Sequence, residues 1–325
     1  MIIPKFWAEG RARERVGKKQ VTIRRFGWSD LSQADAQLHA DERALSAMVR
    51  ALSGEKLPRR EPKLAYNGAD GVPIREEIVA QHGDTIITRN IYGALCLNTP
   101  DVLFADVDVP PLRRASFGCG YLIACAIATF ATLASTRSIP FAGAVLGACL
   151  LLSIAMIGVT NFVRDRKRPK LEQSSRARVE TVLRQFPDWR IALYRTPAGF
   201  RLLALHRLFK ADEPAALAFF DALKADDAYV YMCRHQQCFR ARVSPKPWRI
   251  GIPHHIKPRP GVWPINPERL PDRQQWIAAY NRASETFASC RYLDTFGTGT
   301  TNAKAATVKK LHDDLSRATT SFPIA

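Results

Sequence analysis

Two uncharged apolar stretches stand back to back in the middle of an otherwise charged chain. Residues 117–135 and 139–163 contain no Lys, Arg, Asp, Glu or His, and only Thr136, Arg137 and Ser138 separate them. A helix rises about 1.5 Å per residue, so about 20 residues cross a hydrocarbon core of about 30 Å. Helices of soluble domains show a polar face, and neither stretch has one. The pattern therefore predicts a transmembrane α-helical hairpin over residues 113–168 rather than a buried helical pair.

The flanks predict its orientation. Arg113 and Arg114 precede the first stretch, Arg164, Arg166, Lys167, Arg168 and Lys170 follow the second, and the turn holds only Arg137. Basic residues near span ends mark the cytoplasmic side, which puts both termini in the cytoplasm of a multi-pass inner-membrane protein. Gly143 and Gly147 form a GxxxG, and Ala124 and Ala128 a second small-residue pair. Such residues let helices approach closely, either within the hairpin or in a homo-oligomer. With no ionisable group in either span, a proton path or transport site has nothing to carry it. Met1–Phe6 has no apolar core of a signal peptide, so no cleavable leader is expected.

The formal net charge of +18 suits a polyanionic partner: nucleic acid, nucleotide or anionic lipid. Cys119, Cys125 and Cys149 fall in the spans, which leaves Cys96, Cys233, Cys238 and Cys290 on the reducing cytoplasmic side, where no disulfide framework is expected.

Outside the hairpin the pattern predicts an α+β domain in pieces: residues 1–112, 169–270, and C-terminal helices over 271–325. A helix is expected from Ser29, with a stripe of Leu31, Ala34, Leu38, Leu45, Met48, Val49 and Leu52 ended by Gly54. Residues 55–75 read as a loop. Strands are expected at Thr85–Arg89, Ala94–Leu97, Val102–Val109, Trp189–Arg195, Phe200–His206, Tyr229–Cys233 and Phe239–Val243. Helices are expected at Leu171–Phe186, Asp212–Lys224, Arg273–Cys290 and Asn302–Ser316. The hairpin would interrupt one cytosolic domain between its first strand and a crossover helix.

Three clusters could carry chemistry. In Val102–Asp108, Asp106 and Asp108 share a strand face at the end of an apolar run, and two such carboxylates repel unless a cation compensates them. That is a candidate catalytic Mg²⁺ or Mn²⁺ site, or a pair of solvated strand-end carboxylates beside arginines. Arg195, Thr196 and Gly199 belong to a Thr-Pro-Ala-Gly turn, which either presents N–H groups and charge to a phosphate or is an ordinary hairpin turn. Arg240, Arg242 and Lys246, beside Phe239 and Trp248, suit phosphate binding with base stacking. Cys233 and Cys238 with His254 or His255 match no common zinc spacing and read as idle thiols.

In this order, Leu103-Phe104-Ala105-Asp106-Val107-Asp108 and Thr196-Pro197-Ala198-Gly199 resemble the archaeo-eukaryotic primase/primase-polymerase core. The resemblance covers about residues 100–110 and 187–243. It implies an RRM-like sheet with helices and a metal-dependent nucleotidyltransferase using Asp106 and Asp108. Where that family places a histidine after the turn, this chain has Leu202, with His206 further along the strand; Asp226 or Asp227 would supply the third carboxylate. The whole chain also resembles bacterial two-span membrane proteins, a likeness that implies no activity. Two readings follow: a phosphate-binding module at the membrane surface, and a nucleotidyltransferase that needs its carboxylates.

Overall fold

A computed structural model of the chain describes residues 1–16, 19–61, 72–110, 119–259 and 261–325, and shows an α+β protein. Two compact units emerge, one of residues 1–108 with 180–325 and one of residues 109–179.

The first unit begins with a hairpin the sequence reading did not anticipate. Strands β1 (Phe6–Val16) and β2 (Lys19–Ser29) pair antiparallel from Phe6↔Ser29 to Val16↔Lys19. Helix α1 (Gln33–Leu52) starts at Ser32, whose hydroxyl accepts from the Asp35 amide, three residues later than expected. It packs on the hairpin through Ala36, Ala40, Ala44 and Ala47, not through the predicted leucines. Leu38, Leu45, Val49 and Leu52 are all exposed. The reason is close approach: a Cβ on Gly10 or Gly27 would stand 2.2 Å from the Ala40 backbone. Small residues on both partners bring the helix down onto the strands, and a leucine face could not fit there.

Two four-stranded antiparallel sheets complete the unit. One has the order β3 (Glu77–His82), β4 (Thr85–Arg89), β5 (Leu95–Thr99), β9 (Phe239–Arg242). The other runs β10 (Arg291–Phe296), β7 (Ile191–Arg195), β8 (Gly199–Ala204), β6 (Phe104–Asp108). Phe104, Leu202, Leu203, Leu193 and Ala192 form its solvent-free centre. Strands β3 and β10 were not expected, and the helix predicted over Arg273–Cys290 ends at Ser284 in α6 (Leu270–Ser284). Helices α4 (Pro214–Leu223), α5 (Asp227–Gln236) and α7 (Ala303–Ser316) belong to the same unit. The strand predicted at Tyr229–Cys233 is instead the middle of α5. Asp226 caps that helix by accepting from the Tyr229 amide, and Tyr229, Met232, Cys233 and Gln236 are buried at helical spacing. The cap and the 3.6-residue period override the β-preference of Tyr-Val-Tyr.

The second unit contains α2 (Cys119–Thr136) and most of α3 (Ile139–Leu183). The Tyr121 hydroxyl donates to the Cys149 carbonyl at 3.1 Å and lies 3.1 Å from Ser153 Oγ, which ties the two helices together. Among the described residues one helix, α3, is long and apolar enough to cross a membrane by length and composition, while the apolar stretch of α2 counted from Ile123 is shorter. Helix α3 continues through Pro169, so the predicted second span and the predicted helix at 171–186 form one element. Gly143 is exposed and Gly147 half-buried, with nothing within 4 Å of where a Cβ would stand on either. Arg113, Arg114 and part of the 55–75 loop lie outside the described residues.

Candidate functional site

Strand β6 is an edge of one sheet and β9 an edge of the other, and side chains bridge them where a strand ladder is lacking. The Tyr229 hydroxyl donates to the Phe104 carbonyl on β6 at 2.9 Å and accepts from the Arg240 amide on β9 at 3.3 Å. From β8, Arg201 reaches under β6 and donates to the Arg242 carbonyl at 2.7 Å. A cavity of about 290 Å³ opens beside this bridge, lined among others by Glu76, Tyr92, Asp106, Tyr229, Arg240 and Arg242. Asn90 shapes its rim, with its side-chain oxygen accepting from the amides of Tyr92, Gly93 and Ala94.

Asp106 is the predicted carboxylate that most changes meaning here. Arg201 stands directly across the ladder and grips both of its oxygens, Nε to Oδ1 at 2.7 Å and Nη2 to Oδ2 at 2.9 Å. Burial pushes the Asp106 pKa up, but the charge and hydrogen bonds of Arg201 outweigh it and hold the carboxyl below its ordinary range. Arg201 is itself buried, and its Nη1 lies 3.3 Å from His312 Nε2; the other nitrogen of that ring is 3.0 Å from Asp313 Oδ1. This bidentate pair makes Asp106 a charge-neutralised structural group. Asp108, two residues on, is exposed at the strand end. Burial of its carboxyl, then Asp106 and Asp226, push its pKa up, against the pull of Lys246 and Arg242. A two-metal arrangement asks for free carboxylates on one point. With Asp106 engaged by a guanidinium, this pair does not fit that demand, and no group of three metal-ligating side chains occurs among the described residues.

The basic candidates separate into two kinds. Arg240 is buried and serves the fold: its Nη2 donates to both oxygens of buried Glu76 at 2.8 and 2.7 Å, and its Nη1 donates to Asn98. Arg195 folds back onto its own turn, donating to the carbonyls of Thr196 and Gly199, while Thr196 Oγ1 accepts from the Gly199 amide. The Thr-Pro-Ala-Gly segment is thus a self-capped hairpin turn, and Arg195, Thr196, Gly199 and Arg240, expected at a phosphate, make these internal contacts. Arg242 and Lys246 behave differently. Arg242 lines the cavity, and its buried Nε has no hydrogen-bond partner. Lys246 is half-buried; burial, then the charges of Arg242 and Arg249, push its pKa down to about 8, against the weaker pull of Asp108 and Asp106. Arg242, Arg249 and Lys246 repel one another more than Asp108 and Asp106 offset at Lys246, and such a site favours an added anion.

An aromatic shelf adjoins these cations. Lys246 Nζ lies 5.4 Å from the centre of the Trp248 ring, which is 47% exposed. Tyr92 stands 5.3 Å from Trp248, and His255 packs 5.4 Å from Trp248 and 6.1 Å from Tyr92. Burial pushes the Tyr92 phenol above its ordinary pKa, so that ring stays neutral.

Other predicted groups lie elsewhere. His206 packs against Trp189 and Phe209, not near Asp106, and burial pushes its pKa down. The strand position that faces Asp106 belongs to Arg201, and Leu202 faces the opposite way into the core. Cys233 and Cys238 are buried with pKa values pushed up, to about 11 for Cys238, while His254 and His255 are exposed. Sequence reasoning missed Arg201, Glu76, Tyr92 and Tyr229. Arg201 had a signal, an alternating position after the turn that must pair with the DxD strand; Glu76, at the border of a loop, had none.

No protein-family model matches this chain, and no curated protein or solved structure proves similar to it.

Proposed function

We propose that the chain is a membrane-anchored binding protein that takes a phosphate-bearing ligand through Arg242 and Lys246. In this reading α2 and α3 form a two-span anchor in the inner membrane, with both termini cytoplasmic. The uncharged stretches at 117–135 and 139–163 and the basic residues that flank them support it. The open space at the Cβ positions of Gly143 and Gly147 leaves room for a second copy of α3, which favours a homo-oligomer contact over a role inside the hairpin.

The observation that carries the binding reading is the pair of mutually repelling cations, Arg242 in the cavity lining and Lys246 beside it. Arg242 offers an unpartnered, buried Nε, and Lys246 is held half-buried beside it with a depressed pKa. A phosphate between them would accept the free N–H and favour the charged form of the lysine. The Trp248–Tyr92 shelf favours a ligand with a flat ring next to its phosphate, hence a nucleotide or a single-stranded nucleic acid over a lipid headgroup. The metal-dependent nucleotidyltransferase reading keeps Asp108 but loses Asp106 to Arg201.

Titration calorimetry on the full chain in nanodiscs tests this, with pyrophosphate and with a nucleoside triphosphate, each with and without Mn²⁺. Binding without metal, weakened by Lys246→Ala and by Arg242→Ala, is the expected result. Binding that requires Mn²⁺ and is abolished by Asp108→Asn would replace this reading with the nucleotidyltransferase. No binding in either condition would end both.

A further inference from the structure

The β1–β2 hairpin has two faces of different character. One packs against α1 through Ala8, Gly10, Ala12, Ile23 and Gly27. The other, from residue 11 outward, presents exposed Arg11, Arg13 and Arg15 on β1 opposite half-buried Arg24 and Thr22 and exposed Gln20 on β2. Successive outward side chains on a strand stand about 6.8 Å apart. The face therefore carries two parallel columns of hydrogen-bond donors over about 14 Å.

Its charge is poorly balanced. Arg11 and Arg24 face each other directly across the ladder, an arrangement that weakens strand pairing. Glu9 is the one carboxylate shared by Arg11, Arg24 and Arg60, at 3.2, 3.4 and 3.4 Å. Arg13 and Arg15 are exposed and have no acidic partner among the described residues. Glu14 points to the other face.

We propose that this face is a nucleic-acid-binding β-ribbon that enters the major groove of duplex DNA. It is separate from the Arg242–Lys246 cavity and does not rest on it. A two-stranded ribbon fits a groove about 12 Å wide. All six outward residues are types that donate to phosphates or base edges, with Arg suited to guanine and Gln to adenine. A membrane surface reads net charge alone and gives no reason for Arg over Lys, or for Gln20 and Thr22 between the arginines. Relief of the arginine self-repulsion by phosphates adds to the affinity.

The experiment measures fluorescence anisotropy of a labelled short DNA duplex against the full chain in nanodiscs of uncharged lipid, over a salt series. The Arg11→Ala/Arg13→Ala/Arg15→Ala variant, whose exposed positions leave the fold intact by thermal melt, is the comparison. Each lost phosphate contact lowers the slope of log K against log salt by about 0.9, so the triple variant should lose up to about 2.7. The matching triple Lys variant retains the charge and is expected to bind more weakly than the native chain, because it loses bidentate contacts. An unchanged slope in the alanine variant overturns the proposal. So does native-like binding by the lysine variant, which would reduce the face to plain charge. If the alanine variant loses flotation with anionic vesicles while DNA binding stays intact, the face belongs to a lipid surface and the proposal fails.

Discussion

Replacing Glu76 with Ala removes the carboxylate that holds Arg240 in the floor of the cavity. Glu76 is 3% exposed and Arg240 5% exposed, so water cannot take over. Glu76 accepts two hydrogen bonds from Arg240 Nη2 and a third from Thr88 Oγ1 at 2.7 Å. Breaking a buried pair by removing one partner costs about 3–5 kcal/mol, because the other charge stays buried. For a domain of this size each kcal/mol moves Tm by about 2–4 °C, so the expected fall is about 6–20 °C. Thermal unfolding of the full chain in nanodiscs, followed by near-UV circular dichroism, measures it. The Glu76→Met/Arg240→Met double variant, which removes both charges and keeps apolar volume, should recover most of the loss. A single variant that costs less than about 1 kcal/mol would refute the reasoning, as would a double variant no better than the single.

Other consequences can be measured in the same way. The depressed pKa of Lys246, about 8, means that its charge is present below that pH and lost above it. The ratio of native to Lys246→Ala affinity for pyrophosphate, in which the ligand's own titration cancels, should therefore be steady below pH 8 and fall above it, by at most about tenfold per pH unit. The same depressed value makes the charged form unfavourable in the fold, so stability should rise as pH climbs from about 8 towards the ordinary lysine range. Gly27→Val forces a side chain into the Ala40 backbone and should cost about 1–3 kcal/mol or more, measured as a lower melting temperature. Deleting residues 115–163 and joining the flanks should move the chain from the carbonate-resistant membrane pellet to the soluble fraction; retention in the pellet would contradict the anchor.

The parts of the fold legible in the sequence are those where one physical signal dominates. The α+β class and strand β4 (Thr85–Arg89) emerged as expected, and strands β5 to β9 with helices α4 and α7 fell within a few residues of their places, because apolar periods and a Pro-Gly turn agreed there. The N-terminal hairpin was hidden because its inward face is Ala8, Gly10 and Ala12, residues too small to register as an apolar period. The same smallness misassigned the face of α1, where leucines give the stronger pattern and alanines make the contact. The candidate site was half legible. Asp106 and Arg242 do line one cavity, with Lys246 in electrostatic reach of both, but that Arg201 neutralises Asp106 was legible only through the register of the strand after the turn. Arg240 and Arg242 lie two apart on one strand, yet differ completely, since Glu76 from a distant segment meets only one of them.

The central claim is that Lys246 stands at a phosphate site, and pyridoxal phosphate tests it most directly. Its aldehyde forms a reducible imine with an amine of low pKa, and its phosphate requires a neighbouring cation. After borohydride reduction and peptide mapping, the account predicts that Lys246 is the dominant labelled lysine and that pyrophosphate protects it. Labelling spread over the exposed lysines, with no protection by pyrophosphate, would contradict the account.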